Sequence, residues 1–337
     1  MPASIHSRNE KRRTAISTGT IVEPIAIKGM TYYHPPTDAV LEARDGRVRI
    51  AYGDLPIPLL DEDFACLQGE APSYDTLGRG IYQALRMKPE SPLAPRYARL
   101  LQEGYPHLLA ELATNLLMLD KKDVETGYLD RKIASLKIFA LLEPDNARLP
   151  LEIGLTYLEK GTSFSALNET TVTLYRAETY LKQSALMNPE DAQTRHQLGE
   201  VLFLLGKYDA CREQWESILA SLPVESREGV EKRLQRMARQ EFPRIPVVDY
   251  LQALGVAMEA FEVGDFEEAA AIIQDVLNDE LFSSEYPMAE IHYLLGLCYL
   301  RQEIPRYAEE CFQQALALRP DYAEAEQLLK DLVGAGG

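Results

Sequence analysis

One phrase returns four times along the chain: an Ala-Leu-like pair, a short apolar spacer and a proline. It reads ALRMKP at 84–89, FALLEP at 139–144, SALMNP at 184–189 and ALALRP at 315–320. Each is the last turn of an amphipathic helix, because proline removes a ladder donor and pushes the residue before it out of the α region. Ahead of three such or related endings runs another helix with a small residue in its middle. These are LPLEIGLTYLEKG around Gly154, RHQLGEVLFLLGKY around Gly199 and IHYLLGLCYLRQ around Gly296. A mid-helix glycine costs about 1 kcal/mol of helix propensity. Close approach of a neighbouring helix offsets that cost, since without a Cβ the two elements pack nearer together.

At these residues the chain resembles the tetratricopeptide repeat family, whose unit of about 34 residues is an antiparallel helix pair. Counting from Ala192, the family positions hold Leu198, Gly199, Leu202, Gly206, Cys211, Trp215 and Pro223. Counting from Ala289 they hold Leu295, Gly296, Tyr299, Ala308, Phe312, Ala315 and Pro320. A third copy runs from Tyr250 through Ala257, Ala260, Gly264, Phe266, Ala269, Ile273 and Val276, and lacks only the closing proline. A fourth starts at Ala147 with Ile153, Gly154, Tyr157 and Gly161, then reaches Ala177, Leu181, Ser184 and Pro189 after an insertion of 11 residues within TSFSALNETTVTLYR. The resemblance implies an all-α, right-handed superhelical solenoid of helix pairs with a small N-terminal extended or β-hairpin region.

The expected organisation follows. Residues 1–60 form a non-repeat region, disordered over 1–19, in which Asp45-Gly46 is a hairpin turn within 40–52. In that register Leu41 faces Ile50, Ala43 faces Val48, and Glu42 faces Arg49 as an opposite-charge pair. TIVEPIAIKGMTYY offers another strand, which Pro24 would place at an edge. Residues 61–146 read as degenerate helical hairpins, 147–223 as two repeats with the insertion near 162–176, and 224–246 as a charged spacer helix and linker. Residues 247–337 read as two repeats with a capping helix.

The chain of 337 residues carries 35 Lys and Arg against 52 Asp and Glu, a net charge of −17. That disfavours a sequence-independent grip on nucleic acid or an anionic membrane. Cys66, Cys211, Cys298 and Cys311 are scattered without a C-x-x-C pair, which argues against a disulfide framework and a zinc site. With no apolar run long enough for a leader or a membrane span, the expected location is cytoplasmic. Asn168-Glu169-Thr170 spells a glycosylation sequon that would then stay unmodified.

No phosphate loop, nucleophile elbow or dinucleotide fingerprint occurs. The histidines, His6, His34, His107, His196 and His292, show no ligand spacing, so no metal and no cofactor is expected. Asp61, Glu62 and Asp63 read as the N-terminal charge cluster of a helix rather than an acid–base pair. Cys298 and Cys311 fall on the two helices of one repeat and read as packing residues.

What the resemblance implies about function lies on the inner face of each first helix. The positions that face a ligand in the family correspond here to Leu155, Leu158, His196, Glu200, Phe203, Leu254, Met258, Phe261, Tyr293, Leu297, Leu300 and Arg301. Members that clamp a peptide carboxylate use lysine and asparagine at these places, and this strip has neither. The expectation is a non-catalytic scaffold or adaptor binding an amphipathic or extended apolar segment of a protein or peptide, with buried area supplying the affinity. The alternatives are a homo-oligomeric structural scaffold using the same strip, or the recruiting subunit of an enzyme complex. Self-coverage of the strip by the first 60 residues, by the 162–176 insertion or by a second copy stands beside these.

Overall fold

The computed structural model describes residues 23–42, 49–119 and 127–335. Residues 1–19, the Asp45-Gly46 turn and the expected Ala43–Val48 pair lie outside the described residues. The chain divides into two compact units, Met1–Pro106 and His107–Gly337.

In the first unit, β1 (Met30–Tyr33), β2 (Val40–Glu42), β3 (Arg49–Ala51) and β4 (Ile57–Leu60) precede α1 (Asp61–Ala65), α2 (Tyr74–Met87) and α3 (Ala94–Gly104). β2 pairs antiparallel with β3, with Leu41 opposite Ile50 and Glu42 opposite Arg49. The charged pair closes at 3.0 Å. β1 covers only the end of the expected strand, and its antiparallel partner is β4, the segment IPLL. Proline at 58 is tolerated because, among the described residues, this sheet has two strands, so each is an edge. α2 packs on β4 so closely that a Cβ on Gly80 would overlap the Pro58 carbonyl. Tyr97 of α3 is buried and donates its hydroxyl to the Pro56 carbonyl at 2.6 Å. Asp61, Glu62 and Asp63 form the first turn of α1, where carboxylates meet the positive end of the helix. Asp61 also accepts from the Thr31 hydroxyl at 2.7 Å, and Asp63 pairs with Arg79.

The second unit is helical. It runs α4 (Pro106–Leu119), α5 (Tyr128–Leu142), α6 (Arg148–Thr162), a 3-10 segment (Phe164–Glu169), α7 (Thr170–Met187), α8 (Ala192–Leu204) and α9 (Tyr208–Ile218). After a second 3-10 turn (Leu219–Ser221) come α10 (Val224–Ala238), α11 (Val247–Val263), α12 (Phe266–Leu277) and α13 (Glu280–Glu285). α14 (Ala289–Arg301), α15 (Pro305–Leu318) and α16 (Ala323–Ala335) complete it.

The proline punctuation holds throughout: α2, α5, α7 and α15 end at Met87, Leu142, Met187 and Leu318, each two residues before the proline. Starts are fixed by aspartate caps. Asp191 accepts from Thr194 N at 3.1 Å, and Asp265 from Glu268 N at 3.2 Å. Gly264 before Asp265 takes φ +90°, the left-handed turn that the phrase EVGDF requires.

Consecutive helices pack as the pairs α6/α7, α8/α9, α11/α12 and α14/α15. The mid-helix glycines are the points of closest approach. A Cβ on Gly154 would crowd Leu181, one on Gly199 would overlap the Trp215 indole, and one on Gly296 would press on Phe312. One apolar core runs from α5 to Cys311 of α15, with Trp215, Tyr250 and Phe282 buried in it, and a smaller one joins Ala308, Phe312 and Ala315 to Ala325 of α16.

Candidate functional site

The expected inner strip is occupied unevenly, and the coverings come from the chain itself. On α6, Leu155 and Leu158 are half-buried against the main core. On α8, Phe203 is buried rather than lining an open groove. Its ring stacks on Trp215 at 5.9 Å and lies edge-on to Tyr208 at 5.5 Å. The spacer helix α10 closes over it and sets the Arg233 guanidinium 5.1 Å above the ring.

That arginine organises a polar cluster around His196 and Glu200. Arg233 donates to Glu200 at 2.5 Å and to Glu285 at 2.6 Å, and Arg236 donates to Glu285 at 2.6 Å. The His196 ring lies 3.7 Å from Glu200. Burial works against the Arg233 charge, yet Glu200 and Glu285 outweigh it and raise its pKa further. These residues line a cavity of about 460 Å³ between α8, α10 and α13. Its chemistry is that of a compensated ion-pair network holding α10 in place. The Tyr286 hydroxyl and Arg236 Nε are buried without a hydrogen-bond partner among the described residues. Sequence reasoning did not find Arg233, Arg236 and Glu285 as part of this region. The signal was Arg233 and Arg236 one turn apart on a helix otherwise read as a solvated spacer.

On α11, Leu254 is likewise buried, not groove-lining. The insertion covers this helix: its 3-10 segment lies so close that a Cβ on Gly255 would stand 2.7 Å from the Asn168 amide nitrogen. Gln252 donates to the Asn168 carbonyl at 3.3 Å and accepts from the Thr171 hydroxyl at 3.1 Å. Leu167 is buried beneath, and Thr170 donates its hydroxyl to the Gly161 carbonyl. Lys160 ties the segment to the bundle through Glu169 at 3.1 Å and Asp130 at 2.9 Å. Gly255→Val is therefore expected to lift the 3-10 segment off α11 at an overpacking cost of about 1–3 kcal/mol. Hydrogen exchange of the 163–169 amides measures it. Unchanged protection in the variant would show that the segment tolerates the side chain.

Further along α11, Met258 and Phe261 are half-buried, packed on the core on one side only. Phe261 meets Phe266 edge-on at 5.2 Å, and Arg301 at the end of α14 lies 5.8 Å from the Phe266 ring centre. Leu297, Leu300 and Tyr293 of α14 are half-buried against the smaller core, where Tyr293 packs on Tyr322 at 4.9 Å. Met258, Phe261, Phe266, Leu300 and exposed Arg301 thus mark the part of the strip at the ends of α11 and α14.

The remaining chemistry is quiet. Burial pushes the Cys211 thiol up to about 12 and those of Cys298 and Cys311 up to about 11, so all three are poor nucleophiles. Burial also holds His292 below the usual imidazole range. Among the described residues no group of three or more His, Cys, Asp or Glu is placed to hold a metal ion. No described helix is long and apolar enough to cross a membrane.

The α14/α15 pair, from Ala289 to the turn at Tyr322, matches the family model of the tetratricopeptide repeat over residues 289–322. The chain carries a tetratricopeptide repeat there. Among curated proteins, this chain is 24% identical to the DnaJ homolog subfamily C member 3 of Homo sapiens over 209 residues. The match covers 62% of this chain and 36% of that relative, so the chain spans little more than a third of its length. Among solved structures it is similar to MamA 41-end from Desulfovibrio magneticus RS-1, at 14% identity and a TM-score of 0.27, covering 64% of this chain and 96% of that one. A tetratricopeptide repeat protein from Parabacteroides merdae shares 21% identity with a TM-score of 0.23, over 67% and 98% of the two chains.

Proposed function

We propose that the protein is a non-catalytic scaffold that docks a segment of another protein on the open part of its inner strip, at the ends of α11 and α14. The observation that carries this reading is the contrast along the strip. The α8 stretch lies under α10 and the start of α11 lies under the insertion, while Met258, Phe261 and Leu300 stay half-exposed beside exposed Arg301. Tetratricopeptide repeats serve protein–protein interaction, and half-buried apolar side chains held by a rigid helix pair supply preorganised area for it. Phe266 joins the two helices here, so a segment lying across them meets one continuous aromatic and aliphatic surface.

The test uses labelled amphipathic and extended apolar peptides, with binding read by anisotropy. Phe261→Glu with Leu300→Glu is expected to weaken binding by about tenfold or more, equal to about 1.4 kcal/mol or more. The milder Met258→Gln should give a smaller loss. Urea midpoints of the variants check that the fold survives. Binding that is indifferent to all three changes would remove this strip as the site. Light scattering distinguishes the rival arrangement: a dimer of the unaltered protein that becomes monomeric in the double variant would assign the strip to self-assembly.

A further inference from the structure

The open half of α11 has a pattern that goes beyond apolarity. At about 100° per residue, Gly255, Glu259 and Glu262 fall on one line along the helix. Val256 and Val263 flank that line on one side, and Met258 and Phe261 flank it on the other. The first position of the line is filled: the backbone of Leu167 and Asn168 sits on Gly255. The next two are exposed glutamates, and neither has an ion-pair partner among the described residues. Val256 and Val263 beside them are 45% and 83% exposed. The surface therefore continues an interface the chain has already built with its own insertion, and then stops halfway along the helix.

Charge distribution identifies what would complete it. Residues 247–337 contain eighteen Asp and Glu against four Lys and Arg, so they carry fourteen of the chain's seventeen net negative charges. Three of the four cations are ion-paired locally, Arg319 with Glu290, Arg306 with Glu310 at 3.4 Å and Lys330 with Glu326 at 2.5 Å, and Arg301 lies over the Phe266 ring. None of the four forms an ion pair with Glu259 or Glu262, which repel each other at i,i+3 spacing.

We propose that this face of α11 takes a cationic amphipathic segment of a partner protein, with Lys or Arg side chains against Glu259 and Glu262 and flanking apolar side chains on Val256, Val263, Met258 and Phe261. This deepens the scaffold reading and rests on it, because it supplies the chemical class of the docked segment. The two apolar rows provide buried area, and the carboxylate row between them selects the partner and speeds its encounter.

The experiment measures, by anisotropy, binding of a labelled leucine–lysine amphipathic helix and of its leucine–glutamine counterpart to the full chain. The lysine helix is expected to bind more tightly and to weaken as salt is raised. Glu259→Lys with Glu262→Lys should weaken it by about tenfold or more. The same charge change placed elsewhere, Glu213→Lys on α9 with Glu309→Lys on α15, should leave it within about twofold. Equal loss in both double variants would reduce the effect to overall charge and overturn the proposal. Equal affinity of the two helices would overturn the cationic class while leaving the scaffold reading standing. If Met258→Ser with Phe261→Ser leaves both helices bound as before, the strip itself is not the docking surface and both readings fall.

Discussion

Trp215→Ala is expected to lower the unfolding free energy by about 3–5 kcal/mol, read as a fall in the urea midpoint. The indole is fully buried, and its Nε1 donates to the His196 carbonyl at 3.1 Å. It occupies the place where a Cβ on Gly199 would be, stacks on Phe203 and lies beneath the Arg233 guanidinium at 5.8 Å. Removing it leaves a cavity at the junction of α8, α9 and α10, which α8 cannot close because its position is set by the neighbouring pairs. Trp215→Phe should cost less, about 1–2 kcal/mol, since most of the volume stays and chiefly one hydrogen bond is lost. A loss below about 1 kcal/mol for the alanine variant would mean that the helices collapse onto the gap.

Asp279→Ala ranks next, with an expected cost of about 2–4 kcal/mol. The buried carboxylate caps α13 by accepting from Leu281 N at 3.0 Å and Phe282 N at 3.1 Å. Its second oxygen accepts from Arg244 N at 2.7 Å and the Tyr250 hydroxyl at 2.6 Å, tying the linker before α11 to the end of α12. Burial pushes the acid's pKa up, but the hydrogen bonds from Tyr250, Arg244, Phe282 and Leu281 prevail and hold it below the usual carboxylate range. A folded value below the unfolded one gives stability that is complete above about pH 4 and lost as the pH falls through the folded value. The acid limb of a melting-temperature profile should therefore be shallower in Asp279→Asn, which starts from a lower plateau. Parallel acid limbs in the two proteins would show that Asp279 does not carry this dependence.

The helix pairs were legible because their signals are local. A proline two residues past a helix end, an aspartate at a helix start and a glycine one packing distance from Trp215 or Phe312 act within a turn or between consecutive helices. The same locality made Leu41–Ile50 and Glu42–Arg49 readable across a short hairpin. It failed for β4, because IPLL finds its antiparallel partner in β1, 24 to 30 residues earlier, and no local signal links the two segments.

The site was less legible, and Phe203 and Leu254 show why. Both stand at positions that face outward along the family's inner strip, and both are buried. What packs there is distant in sequence: Arg233 of the spacer helix over Phe203, and, on the α11 that carries Leu254, an insertion whose Asn168 meets Gln252 across 84 positions. The amino-acid sequence by itself determined the repeat, the helix boundaries, the glycine contacts and the acidic balance, since each depends on residue type and short-range period. Only the tertiary structure decided which parts of the inner strip are covered and that Glu259 and Glu262 lie open beside Val263. Coverage is a property of what packs over a surface, and no helix carries in its own residues the identity of its distant neighbour.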